Sequence, residues 1–168
     1  MSNWKKIVML DVDGVVNSEN WYYKTRGRSG DFDPESIKLL NQLAEIGAEV
    51  VISSSWGEDA IKPLQDVGLT LPIIDCTKKL HYQFEWACRG NEIDYWLTSH
   101  FGGITTAYGE SYRNHWHPED TDYEYVIFDD DADMLLGQVN NFIKTDRMTG
   151  VTQEDIDKAI KILTRETL

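Results

Sequence analysis

The stretch that decides the fold is IVMLDVDGVVN, residues 7–17. An apolar run leads straight into Asp11 and Asp13, which flank Val12 and precede Gly14. Apolar residues without alternation read as a strand buried on both faces, here over residues 6–11. Ionised carboxylates at the end of such a strand are costly unless something pairs with them. Two readings fit the stretch alone. Either a cation sits between carboxylates, or Asp-x-Asp-Gly is a surface Asx-turn closed by glycine. The rest of the chain has to choose.

Working outward, DFDPESIKLLNQLAEIG is a well-signalled helix. Asp33 suits its N-cap, Pro34 its first position and Gly47 its C-terminal cap, with Ile37, Leu40, Leu43 and Ala44 on one face. AEVVIS reads as a second buried strand, and GEDAIKPLQDVG as a short helix broken or kinked by Pro63. LPIID is a short third strand. GNEIDYWLTSH is a helix with Ile93, Trp96 and Leu97 inward. YEYVIFDDD is a strand ending in acid, and NNFIK a last strand. GVTQEDIDKAIKILTRE closes the chain as a helix, with Thr152 and Asp155 as a capping pair. Strands alternating with helices predict an α/β fold, a three-layer Rossmann-like parallel sheet. Ligands of such folds bind beyond the carboxyl ends of the strands. Polar residues collect at that edge: Asp11 and Asp13, then Ser53 to Ser55, then Asp129 to Asp131. Independent surface turns would not be expected to place such residues together, so the Asx-turn reading of residues 11–14 becomes the minor one. Asp131 and Asp133 read as solvated or as caps of a following short helix.

With 168 residues, 41% of them hydrophobic, one domain with a real core is expected. Cys76 and Cys88 lack zinc-type spacing and read as reduced thiols. No run has the length of a membrane span and the N-terminal segment lacks the pattern of a signal peptide, which predicts a cytoplasmic protein. The net charge of −13 argues against a broad face for extended nucleic acid. It leaves room for a small phosphorylated molecule held at a local positive site or through a metal. Carboxylates converging from two strand ends repel unless a hard cation lies between them, and Mg²⁺ suits such oxygen ligands. One carboxylate can attack phosphorus while a second moves a proton.

The ordered stretches LDVDGVVN, FDPESIKLLNQL, VVISSSW, RGNEIDYWL, YVIFDDDADM and FIKTDRMTGVTQEDIDKAI resemble the haloacid dehalogenase (HAD) superfamily. They look in particular like the compact HAD phosphatase domain found alone and in RNA-repair proteins. The resemblance implies a Mg²⁺-dependent phosphatase. Asp11 matches the nucleophile and a metal ligand. Asp13 matches the general acid/base, with its backbone carbonyl a metal ligand. Asp129 and Asp130 match the remaining metal-holding acids. Ser54 matches the phosphate-binding hydroxyl, with Ser53 the alternative. Arg89 best matches the basic residue of the third motif, with Lys78 and Lys79 as alternatives. Relatives often carry arginine directly after SSW, where this chain has Gly57, so a contact from that side chain is absent.

Residues 17–33 fall where the superfamily places caps and flaps, and NWYYKTRGRSGD within them is aromatic and basic. Trp21, Tyr22, Lys24, Arg26 and Arg28 either stack a base and touch a phosphate, or pack a small subdomain with solvated cations. Residues 100–124 match nothing, and His115 and His117 within them read as loop residues rather than a zinc site. The expected substrate is a small phosphorylated molecule, a nucleotide or a nucleic-acid end, with no membrane partner. A fold-retaining regulatory protein without turnover is the alternative, and the intact Asp13 counts against it.

Overall fold

The computed structural model describes residues 4–26, 32–101 and 123–166. Arg28, His115, His117 and most of segment 100–124 lie outside the described residues. Five strands form one parallel sheet: β1 (Lys5–Leu10), β2 (Glu49–Ile52), β3 (Ile73–Cys76), β4 (Tyr123–Asp129) and β5 (Phe142–Lys144). Their order is β3-β2-β1-β4-β5. The expected α/β architecture is therefore present, with the DxD strand at the centre.

Alternate residues of β1 feed two apolar layers. Val8 and Leu10 join Val50, Ile52, Val126 and Phe128 on one face, under α2 (Pro34–Leu40), α3 (Ile61–Val67) and α5 (Gln153–Thr164). Ile7 and Met9 join Val51 and Ile127 on the other, under Ile93, Trp96 and Leu97 of α4 (Arg89–Phe101). Both faces of a parallel sheet must be covered, which is why these strands carry near-continuous apolar runs. Among the described residues no helix is long and apolar enough to cross a membrane, and both cysteines are free thiols.

Two helices differ from the sequence reading. The Asp33–Gly47 helix is α-helical only to Leu40 and then tightens to 3₁₀ over Asn41–Ile46. The tightening begins at Asn41, whose side-chain amide is drawn off to the Gly68 carbonyl and the Thr70 N–H. Pro63 does not break its helix. A 3₁₀ turn over Gly57–Ala60 precedes α3, and Pro63 falls in the first turn of α3, where an N–H has no helical acceptor to lose. Within 17–33 the chain forms α1 (Glu19–Lys24), with Ser18 accepting from Trp21 N–H as N-cap and no buried residue of its own.

The strand ladders extend one residue beyond the strands at the carboxyl edge. The N–H groups of Asp11, Ser53, Thr77 and Thr145 donate to Phe128, Leu10, Ile52 and Asp129 carbonyls, at 2.8–3.0 Å. Backbone bonding thus carries the sheet register onto the polar residues that follow each strand. A second brace comes from the turn Asp146–Gly150, ahead of α5. Thr145 Oγ1 donates to the Gly14 carbonyl at 2.9 Å, and Val151 N–H to the Val15 carbonyl at 2.9 Å. Arg147 and Met148 carbonyls accept the Glu19 and Asn20 N–H groups, which α1 leaves without helical partners.

Gly150 sits at φ +73°, and a Cβ there would lie 2.5 Å from the Val15 carbonyl oxygen. Gly47 has a similar φ of +74° but nothing within 4 Å of a Cβ. Gly47→Ala should therefore cost only the left-handed backbone penalty, about 1–2 kcal/mol. Gly150→Ala should cost clearly more, because backbone has to move. Urea unfolding of both variants measures this, and equal costs would show that the close packing under residues 14–15 is unimportant.

Candidate active site

Asp11, Asp129 and Asp130 each place a carboxylate oxygen within 4.8 Å of the others. Asp11 and Asp129 are buried, and Asp130 keeps only 7% of its side chain exposed. The register explains the meeting. Leu10 pairs with Phe128, so the next residues on β1 and β4 are neighbours by construction. Asp130 reaches the group because residue 14 is glycine. A Cβ at Gly14 would sit 2.3 Å from the Asp130 Cγ, and φ there is +71°.

Burial pushes the Asp11 carboxyl up to about 6, against hydrogen bonds from the Ser54 hydroxyl and the Val12 N–H and the attraction of Arg89. Burial, with Asp11 as the next cause, pushes Asp129 up to about 8. The group is thus short of positive charge. Its oxygen-only donor set and unmet negative charge fit a hard divalent cation, which Asp11, Asp129 and Asp130 would hold.

Asp13 stands beside this cluster but its carboxylate is not a member. Its Oδ1 accepts from Asn17 Nδ2 at 3.1 Å and its Oδ2 from Trp56 Nε1 at 2.9 Å. Two donors from different elements fix an otherwise exposed acid. Ser54 is the serine brought to Asp11, and its Oγ also faces the Trp56 N–H at 3.4 Å. Ser53 is buried beside it with an Oγ that has no hydrogen-bond partner, a donor left for an incoming oxygen.

Of the three basic candidates, Arg89 is the one brought to the carboxylates. Its Nε lies 3.8 Å from Asp129 Oδ2, and its Nη1 is held 2.8 Å from the buried Glu92. The start of α4 is fixed from across the fold, since Asp133 Oδ2 accepts the Arg89 N–H and Asp133 O the Gly90 N–H. Asp133 therefore caps α4 rather than the short helix that follows it. Asp131 is exposed and gives its N–H to Asp129. Lys78 turns away, to the ring and hydroxyl of Tyr95. Lys79 donates to the Ser55 carbonyl at 2.7 Å, and its Nζ lies 3.7 Å from where a Gly57 Cβ would be. A cation thus stands next to the position that lacks arginine.

The flap residues separate. Tyr22 faces a cavity of about 330 Å³ that also touches Asp13, Asp130 and Trp56. Trp21 and Lys24 line a different hollow with Asp33 and Thr149, with the Lys24 ammonium 5.1 Å from the Trp21 ring centre. Arg26 is exposed. Of the described flap residues, Tyr22 stands at the cavity beside the acidic edge, and Trp21 and Lys24 stand at the other hollow. Two contributors escaped sequence reasoning. Trp56 was visible only as an aromatic after the serines, and Arg147 only as one basic residue in a turn. Nothing local signals that they reach Asp13 and Asp130.

Raised carboxyls give a testable pH dependence. Between the ordinary 3.8 and the folded values, the folded state binds more protons than the unfolded one. This stability is fully present below 3.8 and is lost as pH rises through about 6 for Asp11 and about 8 for Asp129. In chelator, the melting temperature should fall from about pH 4 to about pH 8, less steeply for Asp129→Asn. Identical slopes for the two proteins would contradict the burial of Asp129 as an acid without sufficient countercharge.

The family described as the HAD domain in Swiss Army Knife RNA repair proteins matches residues 7–156. Part of the chain is similar to the imidazole glycerol phosphate synthase subunit HisF of Petrotoga mobilis (strain DSM 10674 / SJ95), at 29% identity over 72 residues. That stretch is 43% of this chain, and the chain spans only 29% of the length of that relative. No solved structure matches. With the family match running from β1 into α5 and across every carboxylate of the site, the chain belongs to the HAD domain family of Swiss Army Knife RNA repair proteins.

Proposed function

We propose that the chain is a Mg²⁺-dependent phosphatase that hydrolyses a phosphate monoester through a phosphorylated Asp11. The family match supports a phosphatase-type hydrolase, and the acidic cluster is compatible with Mg²⁺. The observation that carries it is the meeting of Asp11, Asp129 and Asp130 at one buried point, with Asp13 held beside them by Asn17 and Trp56. A bound divalent cation would supply neutralising charge for the phosphoryl oxygens and the carboxylates.

The remaining chemistry belongs to the side chains. An Asp11 oxygen forms a bond to phosphorus as the bond to the ester oxygen breaks. Asp13 gives its proton to the departing oxygen. It then takes a proton from a water, whose oxygen attacks the phosphoryl group, so that inorganic phosphate leaves and Asp11 is regenerated. Ser54, the unpartnered Ser53 hydroxyl and Arg89 would hold the other phosphoryl oxygens. An Asp11 carboxyl near 6 is mostly ionised at neutral pH, as attack requires. An Asp129 near 8 has to give up its proton to hold a cation, so metal uptake should release protons.

The substrate class we favour is a nucleotide or a nucleic-acid end. The family description names RNA repair, which supports this class. Phosphate release should be measured from an aryl phosphate, mononucleotides, sugar phosphates and oligonucleotides phosphorylated at either end, with Mg²⁺ and with chelator. Asp11→Asn should lose at least about 10³-fold in kcat while keeping the wild-type melting curve shape. Near wild-type turnover in that variant would remove Asp11 as nucleophile.

Millimolar Mg²⁺ should raise the melting temperature of the wild type by binding only the folded state. Asp129→Asn should show a smaller rise. No shift in the wild type would mean that the carboxylates hold no cation. Silence across the panel with metal binding intact would favour the regulatory alternative.

A further inference from the structure

The cavity of about 330 Å³ starts where the catalytic group ends, at Asp13 and Asp130, and runs between Trp56 and α1. Its size is in the range of small-ligand sites. In the phosphatase reading, on which this inference rests, Asp13 serves the departing oxygen. Whatever is attached to that oxygen therefore extends into this cavity. Tyr22, from α1, and Trp56 present aromatic surface to it. Such walls suit a flat group such as a nucleobase.

The charges on the same walls are uneven. Asp13, Glu19 and Asp130 are acidic, and Arg147 is the one Lys or Arg among the described lining residues. Arg147 is firmly mounted. Its carbonyl accepts the Glu19 N–H at 3.0 Å, and its turn is closed by Gly150 N–H on Asp146 O at 2.7 Å. Its Nε is engaged by Asp130 at 2.6 Å, while the side chain as a whole stays 61% exposed. Arg147 lines the cavity, and a guanidinium can grip two phosphate oxygens at once.

A monoester with a single phosphate places its charge at Asp11 and has no use for Arg147. Among the described lining residues Asp13 and Glu19 would repel an added phosphate on the departing group, and Arg147 would attract it. We propose that Arg147 is a specificity residue that binds a second phosphate on the leaving group, with Tyr22 and Trp56 flanking the nucleoside between. The shared chemistry is a nucleotide carrying a second phosphate, whether a nucleoside bisphosphate or a strand end with its first phosphodiester.

The bland alternative is that Arg147 only neutralises Asp130. It predicts equal losses on every substrate when Arg147 is removed. The test compares kcat/KM for adenosine 3′,5′-bisphosphate, a phosphorylated dinucleotide, adenosine monophosphates and an aryl phosphate. The wild type should prefer at least one of the two-phosphate substrates over the monophosphates by roughly tenfold or more. Arg147→Ala should erase that preference, mainly through KM, and Arg147→Lys should restore part of it. No preference in the wild type, or equal losses on all substrates, would overturn the proposal. Which of the two-phosphate probes is favoured identifies the source of the second phosphate.

A binding readout separates this inference from the phosphatase reading. Calorimetric titration of Asp11→Asn protein with adenosine 3′,5′-bisphosphate should show binding that weakens roughly tenfold when Arg147→Ala is added. If no substrate is hydrolysed but this Arg147-dependent binding appears, the subsite stands and the phosphatase reading fails. If the aryl phosphate is hydrolysed but neither assay depends on Arg147, the subsite fails and the phosphatase reading stands. Absence of both overturns the subsite.

Discussion

The β1–β4 ladder forces like charges together, and much of the site answers that repulsion. Leu10 pairs with Phe128, so Asp11 and Asp129 have no freedom to separate without breaking backbone bonds in the centre of the sheet. Asp130 is let into the same space by the missing Cβ of Gly14. Burial withholds the water that would otherwise screen the three carboxylates. The chain answers with two arginines from distant elements, Arg89 at the head of α4 and Arg147 in the turn before α5. Arg89 is shared with Glu92 and Arg147 is largely exposed, so the compensation is partial. A partly uncompensated cluster is poor for stability and well suited to a cation and a phosphoryl group.

The turn Asp146–Gly150 joins the parts around that cluster. It carries the Gly14 and Val15 carbonyls, supplies acceptors to the first amides of α1, and presents Arg147 to Asp130. The loop that carries Asp13, helix α1 and one wall of the cavity therefore share one support. Displacing that turn would move all three, so the close packing at Gly150 bears on the geometry of the site as well as on folding. Asp13 is treated differently: it is held by Asn17 from its own loop and by Trp56 from the loop after β2. Its position therefore depends on the β1–β2 pairing while the cluster depends on the β1–β4 pairing.

Much of the fold was legible in the chain. Buried parallel strands read as unbroken apolar runs, and caps such as Asp33, Gly47, Thr152 and Asp155 act over a few residues, so local pattern locates them. The acidic residues of the site were legible for the same reason, because they directly follow strands whose carboxyl ends share an edge. The structure added most where neighbours far along the chain decide. Asn41 is recruited by Gly68 and Thr70, so the long helix tightens. Asp133 caps a helix that begins 44 residues before it. The flap was read by composition, but α1 turns Tyr22 to one side and Trp21 with Lys24 to the other. A helix distributes consecutive residues around its axis, and composition does not say which face looks inward.

The sequence by itself determined the alternation of strands and helices, the placing of Asp11, Asp13, Ser54 and Asp129 at one edge, and the resemblance that names their chemistry. Only the tertiary structure decided which basic group meets the carboxylates, that Trp56 and Asn17 hold Asp13, and that Arg147 stands on the wall of the cavity. The physical reason is one of range. Strand and cap signals are written within a few residues, because the backbone bonds they satisfy are local or repeat in register. The partners of a buried charge are chosen by proximity in space, and Asp130 finds Arg147 across a turn that no periodicity in the chain announces.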